Sequence, residues 1–376
     1  MNAKIVLAGG RTRAEFKRDL EEYGQLNKLF FACQPGVTDA VTRDLKTLGV
    51  PANNFFEPRI DVFADGEKRF SVSHADAARL ARAAANPKAR FVILLGTRPF
   101  KQAEDYLDAF LTLESFHPLL PAKRTLAVCV YAAYLRSHRK TPGAHGAHAF
   151  ASEPLVAHVL VDALLSSPFG SRYAAVAPHT SERGVVPHLA KGFYPLPIFL
   201  QAFKAEFGEG ELSLFAPDEE AAIAMRREFR KAMGSKARLA YVKKARGEKA
   251  DETRAEAFVG NVRGTNVLCI DDLTSTGNSL ARTVDKAREQ GALKIMVAVT
   301  HVTTVKALVR ILESKADRIA FTNSIDLDYL LSTDAQLAGK ARRLIAQNAR
   351  SGRLLYLSVA PTVLRGAVRA LSKAAR

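Results

Sequence analysis

Short apolar runs alternate along this chain with stretches whose apolar residues recur every three or four positions. Lys28-Leu-Phe-Phe-Ala-Cys33, Val92 to Leu95, Thr125 to Val130 and Tyr173 to Val176 are such runs. Leu212 to Phe215, Leu239 to Val242, Val267 to Ile270, Ile295 to Thr300 and Arg318 to Phe321 continue the series. Near-continuous apolar runs of this length suit strands buried on both faces of a parallel sheet. Between them, Val37 to Leu48, Gln102 to Phe116, Glu153 to Leu165 and Glu219 to Met233 carry helical spacing. Residues 4–23 read as a further strand and charged helix. Strands alternating with helices predict an α/β architecture with parallel sheets. The proline-rich stretch from Pro187 to Pro197 marks a boundary between two similar halves.

Composition narrows the class. A chain of 376 residues, 48% of them hydrophobic, suffices for two domains of ordinary size. No apolar run approaches the roughly 20 residues that span a bilayer, and the start reads as a strand and glycine turn rather than a secretory leader. Cys33, Cys129 and Cys269 are odd in number and widely spaced within apolar runs, as expected of buried thiols in a reducing cytoplasm. The formal charge of +17 raises nucleic-acid binding. However, nine of the basic residues fall between Ala335 and Arg376, where no acidic residue occurs. Elsewhere the two signs intermix, so nucleic acid is not the expected primary partner.

The chemistry concentrates at Asn266 to Leu280. The apolar strand Val267–Ile270 runs into the paired carboxylates Asp271 and Asp272. A loop of hydroxyl residues and one glycine follows, Thr274, Ser275, Thr276, Gly277, Asn278 and Ser279, and a helix from Ser279 to Gln290 begins there. Open α/β sheets bind ligands at the carboxyl ends of their strands, and a helix N-terminus is a natural anion site. The set suits a sugar diol on the carboxylates and a phosphate on the loop. It is not a Walker A loop, because the Gly-Lys-Ser/Thr ending is missing.

This stretch resembles the phosphoribosyl diphosphate motif of type I phosphoribosyltransferases and of ribose-phosphate pyrophosphokinases. Further segments resemble the second family in the right order: Phe63-Ala-Asp65-Gly66-Glu67, Tyr134-Leu-Arg136-Ser137-His-Arg139-Lys140, Pro178-His179, Ala216-Pro217-Asp218 and Lys244-Ala-Arg246. Thr300-His301 and Thr322-Asn323-Ser324-Ile325 extend the match, which covers about residues 27–330.

The resemblance implies two tandem type I phosphoribosyltransferase-like domains with parallel sheets flanked by helices, at 27–190 and 191–330. An N-terminal extension (1–26) and a basic C-terminal extension (331–376) would flank them. It implies Mg²⁺-dependent diphosphoryl transfer from ATP to ribose 5-phosphate. Asp271, Asp272 and Thr274 to Ser279 would hold the ribose phosphate. Lys244 and Arg246 would act as catalytic cations on a closing lid (Lys243 to Glu252). Phe63, Asp65, Glu67, Arg136 and Ser137 would bind ATP, and His179 and Asp218 would accompany Mg²⁺. A cytoplasmic homo-oligomer is expected, with Phe63–Glu67 completing a neighbour's nucleotide site.

The chain departs from the family pattern at Ser137-His138, where the family has Gln-Asp, and at Ala177-Pro178, where it has Asp-Leu. Glu219-Glu220-Ala221-Ala222 stands where the family has a Gly-Gly pair. These changes surround the nucleotide and metal. They leave open a larger acceptor such as ADP-ribose, or a catalytically silent regulatory homologue.

Overall fold

The computed structural model describes residues 28–133, 173–178, 191–217, 238–246 and 253–373, with isolated positions between 219 and 230. For Lys191, residues 244–246, residues 253–256 and Lys373, the description is of the backbone alone. The expected strand and helix over residues 4–23, the extension 1–26 and the helical stretch Glu153 to Leu165 lie outside the described residues.

The chain divides into two compact units, and the passage between them falls at Tyr194/Pro195 and again at Leu357/Ser358. In the first unit, β1 (Leu29–Cys33) leads to α1 (Asp39–Thr47) and the short β2 (Phe55–Phe56). The antiparallel hairpin β3 (Arg59–Val62) and β4 (Lys68–Ser71) follows, then α2 (His74–Ala85) and β5 (Arg90–Leu95). α3 (Gln102–Phe116), β6 (Thr125–Cys129), β7 (Tyr173–Val176) and β8 (Lys191–Phe193) complete the elements before the crossing. Six of these strands form one parallel sheet in the order β2-β1-β5-β6-β7-β8. Its strands are sealed on both faces: Leu29, Phe31 and Cys33 are buried, as are Phe91 to Leu95.

The second unit starts with α4 (Leu196–Phe207), β9 (Leu212–Ala216), β10 (Arg238–Arg246) and β11 (Thr253–Val259). β12 (Asn266–Thr274), α5 (Asn278–Glu289), β13 (Lys294–Val302), α6 (Val305–Leu312) and β14 (Arg318–Thr322) follow. It ends with α7 (Leu327–Ser332), α8 (Ala335–Arg350) and β15 (Leu354–Leu357). The sheet order is β11-β10-β9-β12-β13-β14-β15, parallel except for β11. Phe199 and Phe203 of α4 pack with Leu214, Leu268, Ile270, Met296 and Ala298 from four-residue-spaced and alternating positions that meet on one face.

Both sheets follow one plan. The second strand lies on one side of the first, and the chain then returns to pair on the first strand's other side and steps outward. This repetition, with helices on parallel sheets, is the tandem α/β arrangement that the sequence predicts.

The unit boundaries differ from those drawn on the sequence. β8, assigned there to the later domain, pairs with β7 in the first sheet. Residues 331–376 are not one basic appendage. α8 and β15 continue the second sheet, whereas α9 (Ala360–Lys373) belongs to the first unit, against α1, β6 and β8. The reason is that their basic residues cover an apolar stripe: Val363, Leu364, Ala367, Val368 and Leu371 are buried. Gly366 permits the close approach, since a Cβ there would meet the Phe193 ring at 2.6 Å.

Candidate functional site

The point where strand order reverses in the second sheet lies between β9 and β12, which is where open α/β sheets form their ligand crevice. Here the crevice is deepened by unequal strand lengths. β9 stops at Ala216, opposite Tyr241 of β10, and its last partner on β12 is Cys269. β10 continues to Arg246 and β12 to Thr274. With strands about 4.8 Å apart, the opening above β9 is about 10 Å wide. The backbone positions of Lys244 and Arg246 stand on one side, and Asp271 and Asp272 on the other.

β12 turns from apolar to polar within one step. Val267 to Ile270 are buried, and Asp271 and Asp272 are half-buried. The Asp272 N–H donates to Asp271 Oδ1 at 3.0 Å, which directs that carboxylate along its own strand end. The loop beyond is fixed by its neighbour. Thr303 donates from N (3.0 Å) and from Oγ1 (3.1 Å) to the Thr274 carbonyl, and Thr304 Oγ1 donates to the Ser275 carbonyl at 2.7 Å. The Gly277 N–H donates to Thr274 Oγ1 at 3.1 Å.

Gly277 sits at the N-cap of α5 with φ of 72°, so the turn uses a left-handed glycine. No side chain caps this helix, and no acidic residue occupies its first turn. Its leading N–H groups are therefore an anion site without a built-in anion. Thr276, Asn278 and Ser279 are exposed, so the loop opens to solvent. Thr303 and Thr304 were not singled out in the sequence. The only signal for them is the pattern of a threonine N-cap before an apolar helix, which Thr304 satisfies by accepting from Ala307 N at 3.0 Å.

Lys244 and Arg246 were expected on a loop. Their backbone instead forms the end of β10, paired to β11, with a register shift between Lys244 and Ala245. Backbone pairing with Thr253–Val259 carries this hairpin beyond the apolar run Leu239 to Val242 that marked the strand. A bulge at this point re-aims the strand end, as bulges beside binding sites do.

Phe63, Asp65 and Glu67 form the exposed tip of the β3–β4 hairpin in the first unit. Gly66 takes φ of 90°, and Phe63 N donates to the Glu67 carbonyl at 2.8 Å. The guanidinium of Arg69 lies 5.7 Å from the Phe63 ring centroid. The hairpin is anchored by Lys68, which bonds Asp108 at 2.8 Å and Glu104 at 3.1 Å on α3. Arg136, Ser137, His179 and Asp218 lie outside the described residues. Among the described residues no group of three or more His, Cys, Asp or Glu is placed to hold a metal ion.

At the switch point of the first unit, between β1 and β5, buried polar groups bond one another. Gln34 is buried, accepts from Gly96 N at 3.0 Å and donates to the Asp105 carbonyl at 2.9 Å. Asp105, fully buried, accepts from the Arg98 guanidinium at 2.6 Å and from Arg98 N at 2.6 Å. Among the described residues, a carboxylate pair and a phosphate-type loop stand together at the switch point of the second unit.

The fold is that of two tandem type I phosphoribosyltransferase-like domains with parallel sheets. No family model matches the sequence. Individual relatives do. A ribose-phosphate pyrophosphokinase of Hyphomonas neptunium is 27% identical over 59% of this chain and 68% of its own length. Those of Pyrococcus abyssi (26%, 72% and 85%) and Streptomyces coelicolor (25%, 91% and 92%) match over longer spans. The crystal structure of phosphoribosylpyrophosphate synthetase from Mycobacterium smegmatis superposes with a TM-score of 0.63 and 20% identity, over 92% of this chain and 99% of that one. The chain is thus similar, at 25–27% identity, to these three ribose-phosphate pyrophosphokinases. Among the described residues, no helix is long and apolar enough to cross a membrane.

Proposed function

We propose that the protein transfers the diphosphoryl group of ATP to the anomeric hydroxyl of ribose 5-phosphate. The hydroxyl oxygen forms a bond to the β-phosphorus, the bond from that phosphorus to its α-bridging oxygen breaks, and AMP leaves while the hydroxyl proton passes to solvent. The observation that carries this reading is the second-unit crevice, with a carboxylate pair beside an uncapped helix N-terminus and two cationic positions across β9. The names of the relatives point the same way.

Asp271 and Asp272 accept hydrogen bonds from the ribose 2- and 3-hydroxyls. Thr274 to Ser279 hold the 5-phosphate through backbone N–H groups and hydroxyls. Lys244 and Arg246 meet the charge that builds on the phosphoryl oxygens, the main source of catalysis in such transfers. Phe63, Asp65 and Glu67, with Arg136 and Ser137, bind ATP, and the hairpin serves the nucleotide site of a second copy in a homo-oligomer.

Mg²⁺ suits the oxygen-only donors of the crevice, because this ion typically takes one or two carboxylates and completes its shell with phosphates and water. Asp218 and His179 would accompany it, and when bound it neutralises charge on the triphosphate. The three buried free cysteines suit a reducing, cytoplasmic setting.

Purified full-length protein with ATP, Mg²⁺ and ribose 5-phosphate is expected to form AMP and no ADP. ADP-ribose as acceptor, followed by product mass, distinguishes the larger-ester reading. Failure to form AMP with either acceptor would favour the silent homologue and remove the enzyme assignment.

A further inference from the structure

The loop after Asp272 has a neighbour that lies more than thirty residues away in sequence. α6 runs beside α5. A Cβ placed on Gly277 would come within 2.8 Å of Arg310 Cβ, 3.0 Å of the Ala307 carbonyl oxygen and 3.1 Å of Arg310 Cγ. The aliphatic stem of Arg310 therefore rests directly on the glycine of the loop. Helical side chains lean toward their helix N-terminus, and α6 begins where β13 ends, at the carboxyl edge of the sheet. A stem that starts there and leans this way brings the guanidinium within reach of the loop's outer side.

The charge of Arg310 is not spent elsewhere among the described residues. Arg310 is exposed. Glu313, one turn on, is engaged by Lys340 at 2.6 Å. Lys306 occupies the same face one turn earlier and is exposed as well, and no acidic residue lies in the first turn of α6. Like charges four residues apart repel, and a cation in a first turn opposes the helix dipole. An anion between α5 and α6 relieves both penalties.

We propose that Arg310, with Lys306 behind it, is the cationic side wall of the phosphate site and makes the loop select sugars that end in a phosphate monoester. This rests on the reading of Thr274 to Ser279 as the ribose-phosphate loop. A guanidinium suits the role, since it grips a phosphate through two parallel N–H bonds where backbone amides alone supply no net charge.

Arg310→Met keeps the stem on Gly277 and removes the charge, whereas Arg310→Lys keeps a charge. Binding of ribose 5-phosphate and of unphosphorylated ribose to the full chain, measured by calorimetry, is compared with AMP formation. Arg310→Met should weaken ribose 5-phosphate roughly tenfold or more, the size of one charge-assisted hydrogen bond, with the lysine variant between. The KM for ATP should stay unchanged. An unaltered dissociation constant for ribose 5-phosphate in folded Arg310→Met overturns the inference even if AMP is formed. Wild-type protein that binds ribose 5-phosphate but makes no AMP overturns the enzyme reading and leaves the Arg310 comparison decisive on its own. Wild-type protein that binds no pentose phosphate overturns both.

Discussion

Replacing Gly277 with alanine tests whether the loop is as tightly determined as its contacts imply. A φ of 72° costs an L-residue about 1–2 kcal/mol. The new methyl would also lie 2.8 Å from Arg310 Cβ and 3.0 Å from the Ala307 carbonyl oxygen, atoms that cannot swing away as a side-chain tip does. Overpacking of this kind costs about 1–3 kcal/mol. Reduced entropy of the unfolded chain offsets about 0.4–1 kcal/mol, so the net loss is about 1–5 kcal/mol, of which crowding supplies about 1–3 kcal/mol.

Gly352 provides the control. It has φ of 70°, but a Cβ there meets no heavy atom within 4 Å, so Gly352→Ala should lose only the strain component of about 1 kcal/mol. Urea denaturation of the two variants, followed by circular dichroism, measures the difference. Equal losses at both positions would show that α6 does not crowd the loop, and the contact that supports the role of Arg310 would be gone.

Three other outcomes follow from the geometry. Lys244→Ala should lower kcat far more than it raises either KM, because its interaction grows with charge in the transition state; a change in KM alone contradicts that role. Arg98→Met leaves the fully buried Asp105 carboxylate without its ion partner and should cost about 3–5 kcal/mol, read as a lowered denaturation midpoint with little change in sugar-phosphate affinity. Burial pushes the thiols of Cys33 and Cys129 up to about 12, and that of Cys269 higher still. Stability carried by these protonated thiols is therefore complete below about pH 8.5 and declines as pH rises toward 12, by up to about 1.4 kcal/mol per pH unit for each thiol. Native protein should resist alkylation at pH 8, and rapid labelling there would show that the cysteines are not sealed.

What the sequence revealed depended on how local the signal was. Gln102 to Phe116 is a helix over the very span its spacing marks, and the parallel strands follow their apolar runs. The order Asp271-Asp272-loop-helix was legible because a single contiguous segment supplies the carboxylates, the glycine and the helix start. By contrast, the β3–β4 hairpin has no apolar core of its own; none of its strand residues is buried and half are charged, so periodicity is silent. β10 was cut short at Val242 because Lys243 to Arg246 look like loop, yet backbone pairing to β11 carries them on. α9 was read as a basic tail since its charges outweigh its buried stripe until the chain has folded. Thr303, Thr304 and Arg310 reach the loop only through packing between distant strands and helices. No spacing rule announces such contacts.

Following the β- and γ-phosphates of ATP decides whether the second-unit crevice transfers a diphosphoryl group. With ATP isotopically labelled in both groups, the two labels should move together onto the carbon 1 hydroxyl of ribose 5-phosphate, leaving unlabelled AMP, and Asp271→Asn with Asp272→Asn should suppress the transfer at low sugar phosphate. Labels that part company, with the γ-phosphate alone transferred, or a transfer indifferent to both aspartates, would contradict it.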